Sequence, residues 1–210
     1  MADMENYIRE LDDSFCEQYS DYVRLSALEG YEMPDTLYVA PDGNIARRDS
    51  SVMRLCYQKK KDELLKKLKA GIADTTFTFS FSFRSLRDKF ADLRRKYTFS
   101  KILPDALKHC GETAESAGEK LDIEPRFWKK MVSGKLYPEK NTVLALALVC
   151  RMQAQDCSNL LAVCGFSFDD ASIRDVLTHY LIEHRIFNEE MRDNCLAEYK
   201  ITNLPIKRRG

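Results

Sequence analysis

The sequence predicts a mainly α protein: a C-terminal multi-helix bundle preceded by a small N-terminal α+β unit of about three antiparallel strands. Two observations carry that expectation. From residue 99 almost to the end, apolar residues recur at helical spacing, and Gly111, Gly134 and Gly165 fall at or just past three helix ends, where glycine closes a helix. Before residue 84 stands the clearest period-2 run in the chain, TTFTFSFSF at 75–83, which puts Phe77, Phe79, Phe81 and Phe83 on one face and Thr or Ser on the other.

Residues 5–28 lean to helix, with Tyr7, Ile8, Leu11, Phe15, Tyr19, Tyr22 and Val23 near helical spacing, and Pro34-Asp35 ends that segment. At 36–47 two β-leaning runs flank Pro41-Asp42-Gly43-Asn44, a turn whose Gly supplies a positive φ, so a hairpin is expected. Asp49-Ser50-Ser51 offers an N-cap for a helix over 52–70, and Gly71 closes it. The Phe-rich strand at 75–83 would aggregate if left alone. Its simplest partner is the hairpin, which yields the three-stranded sheet. Its phenylalanines read as core, or alternatively as a dimer edge.

Residues 84–98 read as a basic helical connector, in which Arg84, Arg87, Lys89, Arg94, Arg95 and Lys96 outweigh Asp88 and Asp92. It is a solvated helix, a strip along a DNA backbone, or a partner for the acidic N-terminal helix. Helices are then expected at 99–110, 114–121, 125–133, 141–152, 156–164, 170–184 and 188–198. The chain so divides into 1–83, 84–98 and 99–206, with a basic tail, LPIKRRG, expected to fray.

A chain of 210 residues can bury a real core, and 44% hydrophobic with 31% charged residues is ordinary for a globular protein. The formal net charge of +0 neither favours nor excludes a polyanionic partner, because local charge departs from the total. No apolar run approaches the roughly 20 residues of a membrane span. The acidic start, MADMENYIRELDDSF, lacks the pattern of a signal peptide. Seven scattered cysteines without a CxxC pair agree with a cytoplasmic location.

Residues 113–140 are the most informative stretch. Ala114, Ala117, Gly118 and Leu121 give a first short helix a small-residue face that a second helix can cross closely. Leu121-Asp122-Ile123 forms the turn, with Ile123 plugging the core, and Pro125 suits the start of the second helix. Trp128, Met131 and Val132 share the inward face of that helix, which leaves Arg126, Lys129 and Lys130 facing out. Lys135 and Lys140 extend the basic patch, against Glu139 alone. The next run, NTVLALALVCRM, is apolar enough to form the core under both helices.

This order resembles the Cro/C1-type helix-turn-helix domain over about 102–161. Thr113 sits where that family begins its second helix, Leu121-Asp122-Ile123 at its Leu-Gly-Ile turn, Trp128 at the buried aliphatic of its recognition helix, and Ser133-Gly134-Lys135 with Pro138 at its Ser-Gly-Lys loop and following Pro. The resemblance implies that Glu124, Arg126, Phe127 and Lys130 reach base edges and that Lys135 reaches a phosphate. The pattern is broken at three places. Asp122 replaces the turn Gly, Ala117 replaces a larger apolar residue, and Glu124-Pro125 puts an acid and a non-donor where a backbone N–H would help hold phosphate. Glu124 retains the option of accepting from a cytosine amino group. The stretch 98–206 is also similar to an uncharacterised helical family of Gram-positive bacteria, which bears on fold rather than activity.

Other motifs favour bland readings. Cys150, Cys157 and Cys164 repeat every seven residues but lie in apolar helices, where packing explains them better than thiolate ligation. His179 and His184 are five apart, roughly 140° around a helix, so they cannot share a metal, and His109 has no evident partner. No phosphate loop, nucleophile elbow or HExxH motif occurs, so no cofactor or catalytic residue is assigned.

The expectation is therefore a non-enzymatic DNA-binding helix-turn-helix protein, a transcriptional regulator of a bacterium, phage or mobile element. Its contacts would come from Glu124, Arg126, Phe127, Lys129, Lys130 and Lys135. Double-stranded DNA is the partner, and a homodimer would suit two half-sites. The alternative is a protein-binding adaptor on the same scaffold. It is favoured by Glu124, by an outward Phe127 and by the 16 acidic against 13 basic residues over 100–206. Phe127 meets a thymine methyl in one reading and a protein in the other. An enzyme, such as a nuclease in the N-terminal unit, has no residue constellation behind it.

Overall fold

The architecture is organised around one apolar helix, and the computed structural model describes residues 2–22, 37–39, 44–47, 61–73, 75–76, 81–83 and 96–202. In chain order the elements are α1 (Ala2–Gln18), β1 (Leu37–Val39), β2 (Ile45–Arg47), α2 (Lys61–Gly71), β3 (Thr75–Thr76), β4 (Phe81–Phe83), α3 (Phe99–His109), α4 (Ala114–Lys120), α5 (Pro125–Val132), β5 (Leu136–Pro138), α6 (Lys140–Val149), α7 (Ala154–Cys164), α8 (Ile173–Glu183), α9 (Glu189–Glu198) and β6 (Ile201–Thr202). The protein is mainly helical, as expected. Every residue from Thr142 to Val149 is buried, and α6 packs against α4, α7, α8 and β5. Each buried leucine or valine there contributes about 1.5–3 kcal/mol of transfer free energy.

The helices of the C-terminal part start and stop within about three residues of their expected bounds. Gly111 and Gly165 adopt φ of 73° and 84° at their helix ends, the left-handed region that glycine enters without a Cβ penalty. Cys150 and Cys157 are fully buried, and burial pushes their thiols up to about 12. They pack as small hydrophobes rather than as ligands. Among the described residues no group of three or more His, Cys, Asp or Glu could hold a metal. His109 does find a partner, the Asp156 carboxylate at 3.1 Å.

The sheet differs from expectation. The hairpin forms, with Leu37 opposite Arg47 and Val39 opposite Ile45, but among the described residues it does not take the Phe-rich segment as a third strand. The two ends of that segment pair with the C-terminal part instead. Thr75–Thr76 runs parallel to Ile201–Thr202, and Phe81–Phe83 runs antiparallel to Leu136–Pro138, with Phe83 opposite Leu136. Short extended stretches after α5 and after α9 present open backbone edges, and these edges satisfy the donors and acceptors that the hairpin was expected to meet.

Side chains tie the N-terminal elements to the C-terminal helices. α1 packs on α8 and α9 through Leu11, Phe15 and Cys16, all at or below 1% exposure. The first helix runs to Gln18, helical backbone resumes at 20–22, and 23–28 of the expected helical segment lie outside the described residues. The Ser20 amide donates to the Asp170 carbonyl at 3.0 Å. The buried Tyr199 hydroxyl donates to Asp12 at 2.7 Å, and Lys69 reaches both Asp12 and Glu198 at 2.8 Å. Lys200 Nζ caps the end of α2 through the carbonyls of Ala70 and Ile72, at 3.1 and 2.9 Å. Burial beside the Asp12 carboxylate raises the Tyr199 phenol far above its usual range. The first part of the expected helix at 52–70, the hairpin turn at 41–43, the connector apart from Lys96–Thr98 and the basic tail lie outside the described residues. No described helix is long and apolar enough to cross a membrane.

Candidate nucleic-acid interface

The pair α4–α5 is held by interactions that can be read one residue at a time. Thr113 caps α4, accepting from the Ser116 amide at 3.1 Å, while Ser116 Oγ accepts from the Thr113 amide at 3.0 Å. This reciprocal arrangement satisfies two otherwise orphaned donors. Glu112 flanks the cap, accepting from Ser116 Oγ at 2.6 Å and pairing with Lys120. Burial opposes its ionisation, but the bonds from Lys120 and Ser116 win and hold the carboxyl below its usual range.

α5 then crosses α4 at its glycine. A Cβ added at Gly118 would stand 2.7 Å from Trp128 Cδ1 and Nε1, so only glycine admits the indole. Trp128 is 6% exposed, and its Nε1–H donates to the Ala114 carbonyl at 2.6 Å. The turn between the helices needs a left-handed residue, and Asp122 supplies it at φ 51°. Asp is among the few non-glycine residues that tolerate this region. Ile123 is buried at 8% exposure, as expected for the turn plug. After α5, Gly134 takes φ 73°. The Gly134 and Lys135 amides close the helix on Met131 and Lys130 carbonyls at 2.9 and 2.8 Å. The turn is braced by α3, because a Cβ at Gly134 would lie 3.0 Å from Ser100 Oγ.

The expected site residues divide as follows. Arg126, Lys129, Lys130 and Lys135 are all exposed, the first three along one short helix and the fourth in the turn that follows it. Glu124 is exposed too, and it does more than flank the face: its carboxylate pairs with Arg126 Nε at 2.5 Å. Phe127, expected to face outward, is half-buried against the core. Arg126 stacks over its ring at 4.7 Å and Lys130 stands 6.0 Å from its centroid. Two cations thus cover the apolar ring. Lys140, expected to extend the patch, turns away to pair with the buried carboxylate of Asp175. The cost of burying Asp175 without a cation explains the diversion. The expected patch therefore contracts to the outer face of α5 plus Lys135.

The sequence reading overlooked the opposite flank. Between α4 and α5 runs a groove of about 360 Å³ whose rim carries the carboxylates of Glu115, Glu119 and Asp122. Its signal was available: Glu115 and Glu119 are four apart and therefore share a face of α4. A larger hollow of about 620 Å³ lies where α1 meets the loop before α8. Its buried carboxylate, Asp175, is already engaged by Lys140, by the Asp169 amide at 2.9 Å and by Ser172 Oγ at 3.1 Å, so it serves as a structural brace.

No protein-family model, no curated protein and no solved structure matches this chain.

Proposed function

We propose that the chain is a DNA-binding helix-turn-helix protein that presents α5 to a major groove of duplex DNA, in the manner of a transcriptional regulator. One observation carries the reading. Arg126, Lys129 and Lys130 stand exposed on a helix whose other face, Trp128 and Met131, is buried, and Lys135 follows in a tight turn. Rigid presentation of cations from one short helix suits groove entry, with the flanking loop on phosphate. In this reading Arg126 and Glu124 address base edges, and Lys129, Lys130 and Lys135 hold the backbone.

A mobility-shift series on a mixed-sequence duplex tests it. Three lysine–phosphate contacts give a slope of about −2.7 in log K against log salt, so affinity should fall about 40-fold between about 50 and about 200 mM salt. Arg126→Ala should cost about 1–3 kcal/mol if the guanidinium reads a base. Binding to no duplex in a salt-dependent way, or an unchanged slope after Lys129→Ala with Lys130→Ala and Lys135→Ala, would refute the proposal.

The adaptor reading rests on a separate observation, the exposed Glu124 carboxylate at the start of α5, which repels phosphate, beside the accessible part of the Phe127 ring. A defined protein partner lost on Phe127→Ala, and retained on Lys129→Ala with Lys130→Ala, would favour it over DNA binding.

A further inference from the structure

We infer that the groove between α4 and α5 docks a cationic protein segment that inserts one apolar side chain. The inference concerns a surface that shares only Lys129 with the DNA reading, and it does not depend on that reading.

The floor of the groove is apolar. The indole of Trp128, the side chains of Ile123 and Pro125, and the bare backbone of Gly118 line it. The Trp128 Nε1–H is already committed to Ala114, so the ring offers a ligand only its apolar surface. A volume of about 360 Å³ holds one large aliphatic or aromatic side chain with the backbone on either side, at the small end of ligand-site sizes.

The rim is acidic. Glu115, Glu119 and Asp122 are all exposed, with Lys129 the single cation on the opposite wall. Unlike Glu112 and Glu124, which have partners close by, these three carboxylates form no ion pair with a described residue. Glu115 and Glu119 stand one turn apart, an i,i+4 pair of like charges that weakens a helix unless a cation arrives from outside. That cation is not a metal ion, because no described group of carboxylates or other donors could hold one. Nor is the occupant a nucleic acid, whose phosphates the rim repels. Carboxylates spread along a rim above an apolar floor match arginine or lysine side chains spaced along a peptide around an apolar anchor.

Trp128 is the only tryptophan in the chain, so the groove contains its own reporter. The full chain is titrated with a labelled peptide of alternating arginine and leucine, following both anisotropy and Trp128 emission. The expected result is saturable binding that shifts the emission. Affinity should fall about tenfold when Glu115→Gln, Glu119→Gln and Asp122→Asn are combined. Lys129→Glu should act in the opposite direction, tightening the peptide while weakening any duplex binding. This sign reversal separates the groove from the outer face of α5, and a misfolded variant cannot produce it.

Three results would overturn the inference: peptide bound with Trp128 emission unmoved, a triple variant that binds like the wild type, or an all-arginine peptide without leucine that binds equally well. Loss of peptide binding alongside retained salt-dependent duplex binding would sink this inference and leave the DNA reading standing; the reverse pattern would do the opposite.

Discussion

Replacing Gly118 by alanine tests the contact that orients α5. On helix propensity alone the change should stabilise α4 by about 1 kcal/mol. The geometry reverses the sign. The new Cβ would lie 2.7 Å from two indole atoms and 2.9 Å from Trp128 Cγ. The ring cannot retreat without giving up its hydrogen bond to Ala114 and its burial at 6% exposure. Overpacking costs about 1–3 kcal/mol and a lost buried hydrogen bond about 1 kcal/mol more. Set against the propensity gain, Gly118→Ala should destabilise by about 1–3 kcal/mol. Urea unfolding followed by far-ultraviolet circular dichroism, a signal that survives replacement of the only tryptophan, measures it directly. Trp128→Phe removes the bonded indole and makes room for the methyl, so the double variant should be about 1 kcal/mol or more better than the sum of the singles. A Gly118→Ala protein as stable as the wild type, with native emission unchanged, would show that the two helices do not meet through this glycine. The presentation of the cationic face would then need another explanation.

Tyr199→Phe should cost about 1.5–3 kcal/mol, since it deletes a hydrogen bond to the charged Asp12 acceptor inside the junction of α1, α2 and α9; a urea midpoint equal to wild type would rule that out. Glu112 carries the acid-side pH dependence of the α4 cap. Its folded carboxyl ionises below the unfolded value, so its stabilisation is present above the unfolded pKa and is lost as pH falls through the folded one. The melting temperature of the wild type should therefore drop more steeply than that of Glu112→Gln as pH falls below the ordinary glutamate value of about 4.3, and parallel curves would exclude this role.

How much was legible in the sequence depends on the range of the interaction. Helix positions, the left-handed glycines, the left-handed Asp122 and the buried Trp128 follow from residues within a few positions of one another, and they were readable. The Phe-rich strand was readable as a strand but not as to its partners. Period-2 alternation says which face a side chain takes and nothing about which distant edge it meets, so the pairing of Thr75 with Ile201 and of Phe83 with Leu136 had no local sign. The diversion of Lys140 to Asp175 failed for the same reason. A count of charges along the chain assigns both to the surface, and only packing reveals that Asp175 is buried and demands a cation. The Glu124–Arg126 pair was within reach of the sequence but was passed over, because the resemblance assigned both residues to DNA.

That pair, together with the acidic rim, sets the terms on which α5 could meet a polyanion. Arg126 and Glu124 keep side-chain exposures of 67% and 51%, so their attraction is solvent-screened and worth about 0–1 kcal/mol. A bidentate arginine–base contact discriminates by about 1–3 kcal/mol, so a base edge can displace Glu124, and the ion pair raises the threshold for binding without forbidding it. The rim carboxylates lie to the α4 side of α5, where Lys129 shares their groove, whereas Arg126 and Lys130 occupy positions roughly 160° around the helix from Trp128, about a helix diameter of 10 Å away. The Debye length at physiological salt is about 8 Å. Their repulsion therefore reaches an approaching duplex weakened, while the lysines act at contact distance. One short helix can in this way serve two partners of opposite charge from two flanks, provided the packing of Gly118 on Trp128 keeps those flanks apart.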